Sequence, residues 1–268
     1  MLSRPYAAVV TVRAAHRIAV PFVLMAFGLR LLADFWAFPL ALRLDPASLS
    51  LGALMGAQVV AVVIPLGGYW WCTRRVWRRP PTWRVDADRR HFVADLSPRL
   101  GGPQAVVIGW ASAALVPRER VPDTDRMRIA DLGAVTDVGI ALAVVALAAG
   151  IAMALANRPR LMLDPRGVVL QGLVRSRGFR WDELVPGGPA LPATPNPREI
   201  TLYRQPPADA PLWFLPWRLP AYPLHVDPAF LAHTLRRYLD HPECRDRVGT
   251  AEELAALHEG SASPMPTG

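Results

Sequence analysis

The sequence predicts an α-helical, multi-span membrane domain followed by a small antiparallel β domain that a C-terminal helix caps. Residues 138–156 (VGIALAVVALAAGIAMALA) are 19 consecutive uncharged residues, enough for an apolar helix to cross the ~30 Å hydrocarbon core of a bilayer. Before this stretch, apolar spans alternate with arginine-rich connections. After it, short alternating patterns and turn residues lead to one amphipathic helix, as in a small water-soluble domain.

The composition indicates a bacterial membrane protein. The 268 residues are 52% hydrophobic and carry a net charge of +8, and all 30 basic residues are arginine. The absence of lysine, with abundant Ala, Pro and Val, is typical of a high-GC genome. Because the arginines flank apolar spans, they favour an anionic membrane surface over nucleic acid as the partner of this basic chain.

The membrane domain is predicted over residues 1–156, with spans at about 18–42, 49–71 and 134–156. The first span contains Arg30 and Asp34 near its middle, and this spacing puts the two opposite charges on one helical face. Three interpretations stay open at this point. The pair is a polar site inside the helix bundle, or it is a self-neutralised pair facing another helix, or the span is shifted so that one charge reaches the surface.

The second span predicts a helix contact and a membrane interface. Gly52 and Gly56 would permit a close approach of another helix. The span ends in an aromatic cluster at 69–71 and an arginine run at 74–79, which together are typical of a cytoplasmic membrane boundary. The polar residues that follow include a short extended pair at 83–93.

The stretch 100–117 decides the topology. Its purely apolar part is 12 residues long and spans only ~18 Å as a helix. Without a crossing here the chain has three spans and the C-terminal domain lies outside the cell. With a crossing it has four spans and the domain is cytoplasmic. Arg158 and Arg160, directly after the last span, favour the four-span interpretation.

Residues 157–249 are predicted to form the β domain. A hairpin over 160–171 turns at the sequence DPRG, and further strands are expected at 177–184, 198–205 and 212–215. Asp227 as the N-cap and Pro228 at the first helical position begin an amphipathic helix that ends before Pro242. Residues 250–268 add a short helix, begun by a capping box at 250–253 and reaching about His258, and a disordered tail from residue 260.

Three segments resemble the bacterial pleckstrin-homology-like (PH-like) domain of actinobacterial membrane proteins. Their sequences are RPRLMLDPRGVVLQG, RGFRWDEL and HVDPAFLAHTLRRYLDHPECRDRVGT. The resemblance covers residues 157–249. It implies two antiparallel sheets closed at one end by the helix at 228–240. Eukaryotic relatives often bind phosphoinositides through a basic cluster near the first hairpin, which implies Arg166, Arg175 and Arg177 as lipid or partner contacts here.

No constellation for catalysis, cofactor binding or metal binding is recognised. The histidines at 225, 233 and 241 are eight residues apart, the wrong spacing for paired ligands on one helical turn. The motif HPEC at 241–244 lacks the three or four convergent ligands of a zinc site. No phosphate-binding loop or nucleophile elbow appears. Cys72 and Cys244 are predicted to be free thiols.

These observations predict a non-enzymatic, multi-pass protein of the plasma membrane that presents a PH-like module at the cytoplasmic surface. The module would bind a protein or a lipid headgroup. The expected partners are the bilayer and either an anionic lipid or a membrane protein, whereas nucleic acid is not expected; the oligomeric state is left open. The alternative is a small permease or lipid-handling protein that uses Arg30 and Asp34.

Overall fold

The chain folds into two compact units. The structure, a computed structural model, describes residues 11–41, 43–44, 47–77, 82–121, 126–172, 175–190, 197–205 and 216–262. A helical unit comprises Met1–Arg78 and Pro98–Asn157, and a sheet unit comprises Arg79–Ser97 and Arg158–Gly268. The sheet unit is therefore built from two separate stretches of chain. The predicted boundaries need correction, because residues 79–97 were expected in the membrane domain and residues after 249 were expected outside the β domain.

Long apolar helices dominate the helical unit. Helix α1 (Val12–Leu32) continues through a π-helix (Ala33–Ala37) into α2 (Phe38–Ala41), and α3 (Ala47–Trp77) and α5 (Ala134–Ala156) stand alone. By length and composition, three helical stretches can cross a membrane: Val12–Ala41, Ser48–Trp77 and Ala134–Ala156. They match the spans predicted at 18–42, 49–71 and 134–156, and the first two begin earlier or end later than predicted.

The ambiguous stretch 100–117 forms helix α4 (Pro98–Ala113). The backbone N–H groups of Ala114, Leu115 and Val116 each donate to a carbonyl three residues earlier, which prolongs α4 by a 3₁₀ turn. Helix α4 packs against α1, α3 and α5. An antiparallel hairpin, β3 (Arg118–Val121) and β4 (Arg126–Ile129), then leads towards α5, and β4 packs against the π-helix. The sequence did not predict this hairpin.

Glycines permit close helix contacts, though not at the predicted pair. A Cβ built on Gly109 of α4 would lie 2.6 Å from the carbonyl oxygen of Val23 in α1. One built on Gly68 of α3 would lie 2.5 Å from Cε1 of Phe22. At Gly52 and Gly56, by contrast, no described atom lies within 4 Å of a built Cβ. Among the described residues, no helix therefore makes the expected approach at this pair.

The sheet unit contains a five-stranded antiparallel sheet in the order β1-β2-β5-β6-β7. Its strands are β1 (Arg84–Asp86), β2 (His91–Ala94), β5 (Arg160–Asp164), β6 (Gly167–Gln171) and β7 (Ser176–Arg180). A second, two-stranded sheet pairs β8 (Glu199–Leu202) with β9 (Trp217–Pro220). The extended pair predicted at 83–93 forms as β1 and β2, and β2 pairs in turn with β5.

Several strand boundaries differ from the prediction. The strand expected at 177–184 ends at Arg180 because a 3₁₀ turn, Trp181–Glu183, follows, and the indole N–H of Trp181 donates to the carbonyl of Asp164 at 2.9 Å. Strand β8 is shorter than 198–205, and β9 was not predicted. The strand expected at 212–215 lies outside the described residues.

Two helices complete the sheet unit, α6 (Pro228–Asp240) and α7 (Ala251–Ala262). The predicted caps are confirmed, since Asp227 accepts the amide N–H of Phe230 at 2.9 Å and the Thr250 hydroxyl accepts that of Glu253 at 3.2 Å. Helix α7 runs beyond the predicted end at His258, and residues 263–268 of the predicted tail lie outside the described part. One core takes buried side chains from both stretches of chain, among them Trp83, Phe92, Leu161, Leu163, Leu219, Leu235 and Leu257.

Candidate functional site

The three arginines predicted as lipid or partner contacts lie at two opposite ends of the five-stranded sheet. Arg166 is in the β5–β6 turn, where Asp164 Oδ1 accepts the amides of Arg166 and Gly167 at 2.7 and 2.8 Å. Arg175 directly precedes β7, and Arg177 pairs with Leu170 in the register of β6 and β7. All three side chains are exposed. A five-residue strand is roughly 15 Å long, so Arg166 does not form one cluster with the other two.

Arg175 and Arg177 share their end of the sheet with the start of β5. Arg160 is opposite Gln171 in the sheet, and its Nε donates to Gln171 Oε1 at 2.6 Å. Gln171 in turn is opposite Ser176. We call the end of the sheet that carries Arg158, Arg160, Arg175 and Arg177 the basic end. In the chain, Arg160 follows the last residue of α5 by four positions.

A second polar group lies in the helical unit around the buried carboxylate of Asp34, which is 3% exposed. Arg30 Nε donates to Asp34 Oδ2 at 3.1 Å, so the predicted pair is in contact. Gln58 Nε2 donates to Asp34 Oδ1 at 2.8 Å, and Arg118 Nη1 lies 3.1 Å from Oδ2. The guanidinium of Arg30 also stacks on Trp110, 4.5 Å from the ring centroid. These five residues are called the Asp34 cluster below.

The Asp34 cluster lies beside the end of α4 and the start of β3. Asp34 belongs to the π-helix that follows α1, and Arg118 is the first residue of β3. Trp110 is in the last turn of α4. In the helical stretch Val12–Ala41, Arg30 and Asp34 are the 19th and 23rd of 30 residues, so they lie somewhat past its middle. A π-helical turn inside an α-helix is frequently found at functional sites.

Two buried polar atoms of the Asp34 cluster have no hydrogen-bond partner within the described residues. They are the carbonyl oxygen Oε1 of Gln58 and the indole nitrogen Nε1 of Trp110. Sequence analysis missed both residues and Arg118. The available signals were an amide inside an otherwise apolar span and an arginine directly after the apolar stretch 100–117.

The sheet unit has a third polar group, in which α7 is tied to α6. Glu253 is buried, and its carboxylate lies 3.1 Å from Arg237 Nε and 3.4 Å from Arg247 Nε. Arg247 Nη2 also donates to Cys244 Sγ at 3.3 Å. Burial, and then the negative charge of Glu253, raises the pKa of Tyr238 far above its usual range. The charges in this group are matched to one another, which is typical of a structural network.

A surface cavity of about 190 Å³ is lined by one face of α6: His233, Arg236, Arg237, Asp240 and His241. Asp240 accepts the backbone N–H of Gly187 at 2.8 Å and pairs with Arg236 at 3.4 Å. Over the described ranges, no three His, Cys, Asp or Glu side chains come close enough to hold a metal ion. Cys72 is exposed and Cys244 is buried, and neither forms a disulfide.

No family model, curated protein or solved structure matches this chain. The PH-like resemblance stays a prediction, and any role given to the basic end or to the Asp34 cluster rests on their geometry.

Proposed function

We propose that this protein is a non-enzymatic, multi-pass protein of the plasma membrane whose four crossings hold a PH-like module, the sheet unit, at the cytoplasmic surface. The observation that carries the proposal is the pairing of β2 with β5, which α4 and α5 separate in the chain. Strands of one sheet lie on one side of a bilayer. The chain between them therefore crosses the membrane an even number of times.

The length of α4 supports a second crossing in this segment. Its 16 residues give a helix of about 24 Å, and the 3₁₀ turn at 114–116 adds about 6 Å. The total of about 30 Å equals the hydrocarbon thickness of a bilayer. In this topology α4 crosses the bilayer away from the side of β2, and α5 crosses back to that side, where β5 begins.

The distribution of charge supports a cytoplasmic position for the sheet unit. Arg74, Arg75 and Arg158 lie at helix ends on its side of the bilayer, without an adjacent acidic residue. The β3–β4 hairpin on the other side mixes arginines with acids, as in the 2.6 Å pair of Arg128 with Glu119. Short cytoplasmic loops carry the excess of arginine in membrane proteins.

The basic end is the part of the module that we expect to bind anionic lipid headgroups. Each arginine near an anionic surface contributes about 1 kcal/mol. The short connection from α5 also raises the effective concentration of the basic end at the surface, so weak contacts suffice. The seven strands in two antiparallel sheets and the helix α6, as seen in the described part of the unit, support the PH-like assignment.

Hydrogen exchange of the full chain in lipid nanodiscs tests this proposal. Replacing pure phosphatidylcholine by a mixture of phosphatidylcholine and phosphatidylglycerol should slow amide hydrogen exchange in the β6–β7 turn, because Arg175 and Arg177 then contact the anionic headgroups. The β5–β6 turn around Arg166 should not respond, which makes it an internal control. The double variant Arg175→Gln/Arg177→Gln should lose the effect, whereas Arg166→Gln should keep it.

Equal responses of the two turns, or a response that survives the double variant, would contradict lipid binding at the basic end. A module that binds a membrane protein instead would show no dependence on phosphatidylglycerol in nanodiscs that contain this chain alone.

A small permease or lipid-handling protein is the second candidate, and the Asp34 cluster is the observation that favours it. The cluster contains two ion pairs on one buried carboxylate, those of Arg30 and Arg118 with Asp34. Its place beside the end of α4 and the start of β3 fits a surface site better than a path through the bundle.

A further inference from the structure

We propose that the Asp34 cluster binds the phosphate-bearing headgroup of a membrane lipid. This site is distinct from the basic end and does not depend on lipid binding there. It requires only that the helical unit is inserted in a bilayer.

The net charge of the cluster favours an anion. Two guanidiniums, those of Arg30 and Arg118, share the single carboxylate of Asp34. Within the described part of the chain neither arginine pairs with another acid, so the group keeps one excess positive charge. Arginine is well suited to phosphate because its planar guanidinium offers several N–H donors at once.

The two unpaired atoms define what else the headgroup must offer. The indole N–H of Trp110 requires an acceptor, and the amide oxygen of Gln58 requires a donor. Leaving a buried polar atom unpaired costs about 1–3 kcal/mol, so a ligand that meets both needs is favoured. A phosphodiester oxygen supplies the acceptor. A glycerol hydroxyl or an ethanolamine ammonium supplies the donor, whereas choline has none.

The position of the cluster selects a lipid rather than a soluble phosphate. Trp110 lies in the last turn of α4 and Arg118 opens the hairpin, so both lie where α4 ends and approaches the headgroup layer. Tryptophan and arginine are the residues that anchor helices in this layer. The side chain of Trp36, in the same π-helix as Asp34, is 71% exposed and provides apolar surface on which acyl chains would lie.

Lipid-dependent thermal stabilisation of the delipidated, full-length protein in detergent tests this site. The variant Arg175→Gln/Arg177→Gln serves as the background, because it removes the two exposed arginines at the start of β7 from the basic end. Phosphatidylglycerol and phosphatidylethanolamine should stabilise it, phosphatidylcholine less so, and inorganic phosphate hardly at all. Trp110→Phe keeps the ring under Arg30 but removes the N–H, and should weaken phosphatidylglycerol binding about ten-fold. Trp71→Phe, at an exposed tryptophan of α3, should leave binding unchanged.

Gln58→Met is the second variant, and it should abolish the preference for phosphatidylethanolamine over phosphatidylcholine, because the acceptor for the headgroup donor is gone. Unchanged binding by Trp110→Phe, or equal stabilisation by all three lipids, would overturn the proposal. Stabilisation by inorganic phosphate that Trp110→Phe removes would overturn the lipid assignment and indicate a soluble anion.

Discussion

At the scale of single residues, the charged groups of this chain fall into matched and unmatched sets. Glu253 has no exposed side-chain surface and faces two arginines, Arg237 and Arg247, whose side chains are 28% and 59% exposed. Because the arginines are partly solvated, their ion pairs stabilise less than fully buried pairs would. The carboxylate itself depends on them, since it would otherwise be buried without compensation.

Glu253→Gln is expected to destabilise the sheet unit by about 1–3 kcal/mol, because the neutral amide cannot satisfy two guanidiniums. Local unfolding of α7 would expose the buried Cys244 to a thiol reagent. The rate at which the reagent modifies Cys244, in a Cys72→Ser background, should therefore rise by roughly 5- to 100-fold in this variant. Glu252→Gln, at the exposed neighbouring position, should leave the rate unchanged. An equal rate in both variants would mean that the network does not hold α7 in place.

Single residues also show where sequence analysis reaches its limit. The contact of Arg30 with Asp34 was predictable because residues four apart in a helix are neighbours. Gln58 and Arg118 are 24 and 84 residues from Asp34 in the chain, and only the packing of different elements brings them to it. Arg166 and Arg175 were grouped because they are close in sequence, although a β-strand separates them in space.

At the scale of elements, helix α4 is the one on which most of the helical unit depends. It packs on α1, α3 and α5, and small residues bring its backbone close to these partners. Its length and apolar character were visible in the sequence. The helices that pack against it were not visible, because the Gly52–Gly56 pattern pointed to a face of α3 that no described helix approaches.

Gly109→Ala should lower the thermal unfolding midpoint of the full-length protein in detergent. The added methyl group would lie 2.6 Å from the carbonyl oxygen of Val23, and such overpacking costs about 1–3 kcal/mol. Gly56→Ala is the matched control, since no described atom is near and alanine favours the helix by about 0.5–1 kcal/mol. A midpoint for Gly109→Ala that equals or exceeds that of Gly56→Ala would contradict the close packing of α1 and α4.

At the scale of the whole molecule, two helices and a hairpin lie in the chain between two neighbouring strands of one sheet. From the sequence, β1 and β2 were predicted only as an isolated pair. A local pattern does not reveal which distant strand completes a sheet. The pairing of Phe92 with Leu163 supplies that information. Hydropathy was ambiguous at 100–117 and did not determine the number of crossings. The pairing of the two strands allows the number of crossings to be inferred from the connectivity of the chain instead.

The sidedness of the β3–β4 hairpin relative to the sheet unit tests the four-crossing topology most directly. In a Cys72→Ser/Cys244→Ala background, single cysteines at the exposed positions Arg126→Cys in β4 and Ser176→Cys in β7 can be treated with a membrane-impermeant maleimide. We predict that Arg126→Cys reacts in intact cells and that Ser176→Cys reacts only after the membrane is permeabilised. Reaction of both cysteines under the same condition would show that α4 and α5 do not separate them and would contradict the four-crossing topology.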